Sequence, residues 1–96
     1  MAKAYWVSAY RSVSDDEKLA AYSKLAGEAI SAGGGRVLAR GVAAAAYESG
    51  VAERTAIVEF DSLEKAIAAR ESEGYRAAVA ALDGGAERDF RIVEGQ

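Results

Sequence analysis

RTAIVEFDS, residues 54–62, reads as a β-strand running into a helix cap. Thr55, Ile57 and Val58 are β-branched and Phe60 is aromatic, side chains that suit a pleated, half-buried surface. Asp61 or Ser62 can then accept the first free amides of a helix. One residue breaks the pattern. Glu59, between Val58 and Phe60, puts a carboxylate where a small protein would favour another apolar group. Alternation divides the strand into Ala56, Val58 and Phe60, fit to pack under helices, and Thr55, Ile57 and Glu59 on the opposite side.

Working outward, residues 3–11 (KAYWVSAYR) form a first strand and SVSDDEK opens a helix. Ser14 with Glu17 three residues later fits a capping box, with Asp15 and Asp16 in the electropositive first turn. Leu19, Tyr22, Ala26 and Ile30 recur at helical spacing, and the glycines 33–35 end the helix. RVLARG, 36–41, is a second strand whose alternation puts Arg36, Leu38 and Arg40 on one side and Val37 and Ala39 on the other. With the strand at 54–60 it forms a long-armed hairpin, 35–60, turning near Ser49–Gly50. Leu63, Ala66 and Ile67 give the second helix a buried stripe until Gly74 weakens it. A further turn or two carries Tyr75, Ala78, Val79 and Leu82 on one face. ERDFRIVEG, 87–95, closes the chain as a fourth strand. The order β-α-β-β-α-β predicts an α+β, ferredoxin-like domain over residues 1–96, a four-stranded antiparallel sheet with both helices on one face.

That arrangement leaves one sheet face bare, yet both parities of these strands are apolar. The first strand divides into Tyr5, Val7 and Ala9 against Trp6, Ser8 and Tyr10, and its parity is open at this point. The fourth divides into Phe90 and Ile92 against Arg91 and Val93. A whole face of such side chains makes a patch too large for an ordinary monomer, and two sheets packed face to face would hide it. A homodimer through the open face is therefore expected. Glu59 would then lie between sheets, partly desolvated, and would need a partner. Arg36 and Arg40 are the available cations, and Arg40 is the preferred one. Trp6, Ser8 and Tyr10 are candidates to line the same space.

Composition narrows the chemistry. The chain has 96 residues, no cysteine and no histidine, and a net charge of −3. Disulfides, thiolate metal sites and histidine-dependent nucleophiles are excluded, and no acidic loop has EF-hand spacing. Nothing calls for a cofactor. The acidic balance offers no bulk attraction to nucleic acid or to anionic membranes, and no apolar run is long enough to span a bilayer. A soluble, cytoplasmic protein is the expectation. Alanine supplies roughly a quarter of the residues and little buried area each, which again favours a second subunit completing the core.

AYWVSAYRSVSD, GGGRVLARG, RTAIVEFDSLEKA, SEGYRAAVAAL and RIVEG together resemble, along nearly the whole chain, the domain-of-unknown-function family 1330 of the dimeric α+β barrel superfamily. The resemblance implies ferredoxin-like subunits paired sheet to sheet and no established activity. Through the wider superfamily it implies cofactor-independent monooxygenase or isomerase chemistry by analogy of fold alone. Arg40, Glu59 and Tyr75 match positions the family fills with the same residue types. The chain departs from the family at Ala69–Arg70, where an aromatic pair is usual, and at Ser72–Tyr75, which reads Ser-Glu-Gly-Tyr where the family has Ser-Pro-Glu-Tyr.

Glu59 is the candidate catalytic group, a carboxylate base, against a structural reading in which Arg40–Glu59 is an ion pair fixing strand register and dimer geometry. Arg40, Trp6, Ser8, Tyr10 and Tyr75 are the candidate ligand-binding residues. Tyr22 reads as packing. Gly33–Gly35 fail as a phosphate loop, because they end a helix and lack the lysine. Arg11, Arg36, Arg54, Arg88 and Arg91 read as solvated charges balanced by acids. The function these features point to is binding of a small, partly apolar molecule in or at the rim of the barrel, enzymatic or not. RNA binding through the sheet is disfavoured, because the third strand carries Glu59 instead of the aromatic and basic pattern.

Overall fold

A computed structural model describes residues 2–96. The elements are β1 (Ala4–Val13), α1 (Asp16–Ala32), β2 (Arg36–Val42), β3 (Arg54–Phe60), α2 (Leu63–Arg70), α3 (Glu73–Leu82) and β4 (Ala86–Glu94). The strands form one antiparallel sheet in the order β2-β3-β1-β4, with β1 and β3 central, the βαββαβ topology expected of the sequence.

The helix starts differ in detail from the sequence reading. Asp15, not Ser14, caps α1: its side chain accepts from the Lys18 amide at 3.0 Å. Ser14 instead ties the end of β1 to the turn before β4, its amide and hydroxyl both donating to the Gly85 carbonyl. Of the two candidates for α2, Ser62 is the cap. The second helix breaks at Glu71–Ser72, before Gly74, because Ser72 becomes a new N-cap and accepts from the Tyr75 amide. Gly74 lies inside the first turn of α3, which runs longer than a turn or two. Ile67 is not part of the buried stripe of α2. It is exposed, and Ala66 and Ala69 are buried instead. Small residues here let α2 come close: a Cβ on Gly33 would meet that of Ala69 at 2.8 Å.

The glycine run is structural. A Cβ on Gly35 would lie 2.7 Å from the Phe60 ring, and Gly34 has a positive φ of 83° that suits only glycine comfortably. At the far end of the hairpin the Gly50 amide donates to the Tyr47 carbonyl, so the turn falls where the sequence places it.

The core is built from sheet aromatics filling the space under alanine-rich helices. Trp6, Phe60 and Tyr75 are fully buried, with Trp6 and Phe60 centroids 4.9 Å apart and Trp6 and Tyr75 centroids 4.8 Å apart. The Trp6 indole donates to the Ala66 carbonyl at 2.8 Å, which satisfies the one polar atom it brings inside. This settles the parity of β1: Ala4, Trp6, Ser8 and Tyr10 face the helices, and Tyr5, Val7 and Ala9 lie on the bare face.

Candidate functional site

On the helix side, the residues of neighbouring strands stand in rows across the sheet. One row holds Trp6 beside Val58 and Ile92, and another holds Tyr10 beside Arg88. Between them Ser8 is paired with Ala56 on one side and Phe90 on the other. Two small side chains at the centre of this middle row leave a hollow. The roof does not fill it, since α1 presents Ser23, Ala26 and Gly27 there, and a Cβ on Gly27 would meet nothing within 4 Å. The result is a cavity of about 50 Å³. One water needs only ~10–15 Å³ of such space, so the hollow admits a small functional group but not a whole drug-sized molecule.

Its chemistry is mostly apolar with a few unpaired donors. The Ser8 side chain is 95% buried and its Oγ has no hydrogen-bond partner among the described residues. Arg54 Nε is likewise buried and unpartnered. Arg40 also lines the hollow, and no aspartate or glutamate does. Behind it Arg88 is wrapped by rings, its guanidinium 4.8 Å from the Tyr22 centroid and 5.6 Å from that of Tyr10. Arg88 Nη1 donates to the Tyr22 hydroxyl at 2.8 Å, and the Tyr22 and Tyr75 hydroxyls are hydrogen-bonded to each other. Burial pushes the Tyr22 hydroxyl well above the usual phenol range, with the adjacent Tyr75 adding to the effect, so Tyr22 stays neutral at physiological pH.

Five of the six residues singled out from sequence thus meet at one place: Trp6, Ser8, Tyr10, Arg40 and Tyr75 all line the cavity. Glu59 does not. It lies on the opposite face of the sheet, so Trp6, Ser8 and Tyr10 do not share its space within the chain. Its partner there is Arg36, not Arg40. Arg36 Nε and Nη2 both reach Oε1 at 3.1 Å, and the Tyr5 hydroxyl donates to Oε2 at 3.2 Å. Arg36 Nη2 also holds Asp61 at 2.9 Å, and this hydrogen bond keeps the Asp61 carboxyl below its ordinary range. The physical reason is a bulge. The register of β2 on β3 slips between Val37 and Ala39, so two residues of like parity end on opposite faces. Arg36 pairs with Glu59 on the bare side, while Arg40, opposite Ala56, lines the cavity with Val37.

Two cavity-region cations escaped the sequence reading, which took Arg54 and Arg88 for solvated surface. Strand parity held the signal. Arg54 is in step with Ala56, Val58 and Phe60, and Arg88 with Phe90 and Ile92, the helix-facing sets of their strands. Among the described residues no group of three or more acidic, histidine or cysteine side chains is gathered to hold a metal ion. No helix among them is long and apolar enough to cross a membrane.

This fold has counterparts among solved structures. RPA0582, a protein of unknown function from Rhodopseudomonas palustris, superposes with a TM-score of 0.70 at 19% identity, covering 97% of this chain and 80% of its own. A dimeric protein of unknown function with a ferredoxin-like fold from Bacteroides fragilis gives 0.56 at 18% identity, covering 96% and 95%. A Nitrosomonas europaea protein provisionally assigned as an antibiotic biosynthesis monooxygenase gives 0.58 at 14% identity, covering 98% and 89%. At these identities the likeness speaks for the fold. No curated protein sequence matches the chain. The family model described as a domain of unknown function, DUF1330, matches residues 3–96, and with the ferredoxin-like topology already in view, the chain belongs to that family.

Proposed function

We propose that this protein binds a small, partly apolar molecule whose polar end enters the hollow between the sheet and α1, and that it does so as a homodimer joined through the bare sheet face. The observation that carries the binding reading is the Ser8 hydroxyl, buried without a partner among the described residues in a mostly apolar wall. An unpaired buried hydroxyl costs about 1–3 kcal/mol, and a ligand atom offering it a hydrogen bond recovers that energy. The test is a thermal-shift screen of small polar-headed molecules on the wild type and on Ala56→Val. Valine adds two methyl groups to the cavity floor and suits a strand. It is expected to keep the fold and abolish ligand-induced stabilisation. Equal stabilisation of both proteins would place the ligand elsewhere.

The dimer is supported by the bare face and by the assembly described for the Bacteroides fragilis neighbour. Tyr5, Val7, Ala9, Thr55 and Ile57 are only partly covered there, and Val93 is exposed. Leu38, Val42, Tyr47 and Val51 are further exposed apolar residues of the hairpin.

A catalytic reading is the alternative, favoured by the provisional monooxygenase assignments of the Nitrosomonas europaea and Caulobacter crescentus neighbours. Under it a cofactor-independent oxidation or isomerisation would use Glu59 as base. The oxygens of Glu59 are already engaged by Arg36 and Tyr5, which favours a structural role in holding β2, β3 and β1 together. Glu59→Gln separates the two. Loss of turnover with an intact dimer would support catalysis, whereas a weakened dimer with unchanged ligand binding supports the structural ion pair.

A further inference from the structure

The proposed ligand site has a charge character that the whole chain lacks. The protein carries a net charge of −3, yet its cavity is lined by Arg40 and Arg54, backed by Arg88, and touched by no acid. None of these three arginines makes an ion pair among the described residues, where the ion pairs draw on Arg11, Arg36, Arg91 and lysines. Arg54 and Arg88 approach the same Tyr10 ring, at 5.9 Å and 5.6 Å from its centroid, so two like charges share one aromatic wall with no counter-ion. Such an arrangement is costly unless an anion enters.

We infer, resting on the ligand-binding reading above, that the molecule taken by this cavity is a carboxylic acid with a short apolar body, bound carboxylate first. Arg54 and Ser8 supply the donors. Ser8 lies opposite Ala56, and Arg54 is two residues along β3 on the same face, so the two are diagonal neighbours that converge on the hollow. Each brings one buried polar atom without a partner, a nitrogen and a hydroxyl oxygen, which is the requirement of a two-oxygen anion. Arg40, exposed at the rim, supplies attraction at the entrance. A dianionic phosphate is disfavoured by the wall of Trp6, Ala26, Ile30 and Val58, apolar surface that gives a second desolvated charge nothing in return.

Calorimetric titration of the intact protein tests this, with butyrate and benzoate as probes, butyramide and benzamide as neutral isosteres, and inorganic phosphate as the rival anion. The acids are expected to bind at least tenfold more tightly than their amides. Arg54→Gln should erase that preference, and Arg54→Lys should restore part of it. Ser8→Ala gives a second variant, with a severalfold loss for the acids, should Arg54→Gln not fold. Amides binding as well as acids would overturn the carboxylate assignment and leave the small-molecule reading intact. Phosphate binding as tightly as the acids would overturn the choice of carboxylate. If neither acids nor amides bind, the ligand-binding reading falls with it.

Discussion

Gly27 and Gly35 differ in what a single methyl group would meet. Gly27 is inside α1 with open space where its Cβ would be, whereas Gly35 is pressed against the Phe60 ring and Ile30 at 2.7–2.8 Å. Glycine in a helix interior costs about 0.5–1 kcal/mol relative to alanine. Gly27→Ala is therefore expected to stabilise the protein by about that amount and to lower the roof of the cavity. Gly35→Ala forces a core ring aside and is expected to cost about 1–3 kcal/mol. Urea denaturation of the pair decides the matter, and the same sign for both would contradict the packing described. The sequence puts Gly27 inside a helix and Gly35 past its end, but not what a methyl group would meet at either, since that lies in tertiary neighbours. The arginines are the opposite case. Arg54 and Arg88 could have been read as inward-facing by counting in twos from Phe60 and Phe90, but an inventory of charges with nearby acids concealed it.

At the scale of elements, strands, helices and their order were legible because each carries its own periodicity, and glycine pairs mark the joints. What alternation could not supply was the interruption of alternation. The bulge at Leu38 exchanges Arg40 for Arg36 as the partner of Glu59, and it takes Arg40 to the cavity. Local sequence does not announce such a bulge, because RVLARG is equally compatible with a straight strand. The start of α1 shows a similar ambiguity on a smaller scale. Both Ser14 and Asp15 are capable caps, and the choice is made by Gly85, which draws the Ser14 amide and hydroxyl toward β4. Asp15→Ala is accordingly expected to cost about 1 kcal/mol through loss of the cap to Lys18. Ser14→Ala loses a half-buried side-chain bond while its amide stays paired, and should cost less. Thermal unfolding of the two variants gives the order directly, and a larger loss at Ser14 would restore the capping box read from sequence.

At the scale of the molecule, the chain is a two-layer plate of 36 × 31 × 16 Å with helices on one side only. Its core is aromatic where the sheet contributes and alanine-rich where the helices do, so little more apolar area can be buried within one copy. A plate 36 × 31 Å across has room on one face for the ~800 Å² per partner typical of a stable pair. Its centre is apolar, with Val7 opposite Ile57, and charge gathers toward the margins in the Arg36–Glu59–Asp61 group and in Asp89–Arg91. An apolar centre with a polar rim is the anatomy of an association surface. Ile57→Lys tests it at the most sensitive position. A two-fold interface carries the substitution twice, and each copy would bury an ammonium ion without a counter-charge. The dissociation constant is expected to rise at least 100-fold, about 2.8 kcal/mol at 1.4 kcal/mol per tenfold. Within one chain Ile57 stays partly exposed, so the fold itself should survive. Sedimentation velocity at micromolar concentration reads the change, with circular dichroism confirming secondary structure. A wild type that sediments as a monomer would remove the dimer from the proposal. The cavity under α1 would stand, because it lies on the helix side of the sheet, away from the bare face.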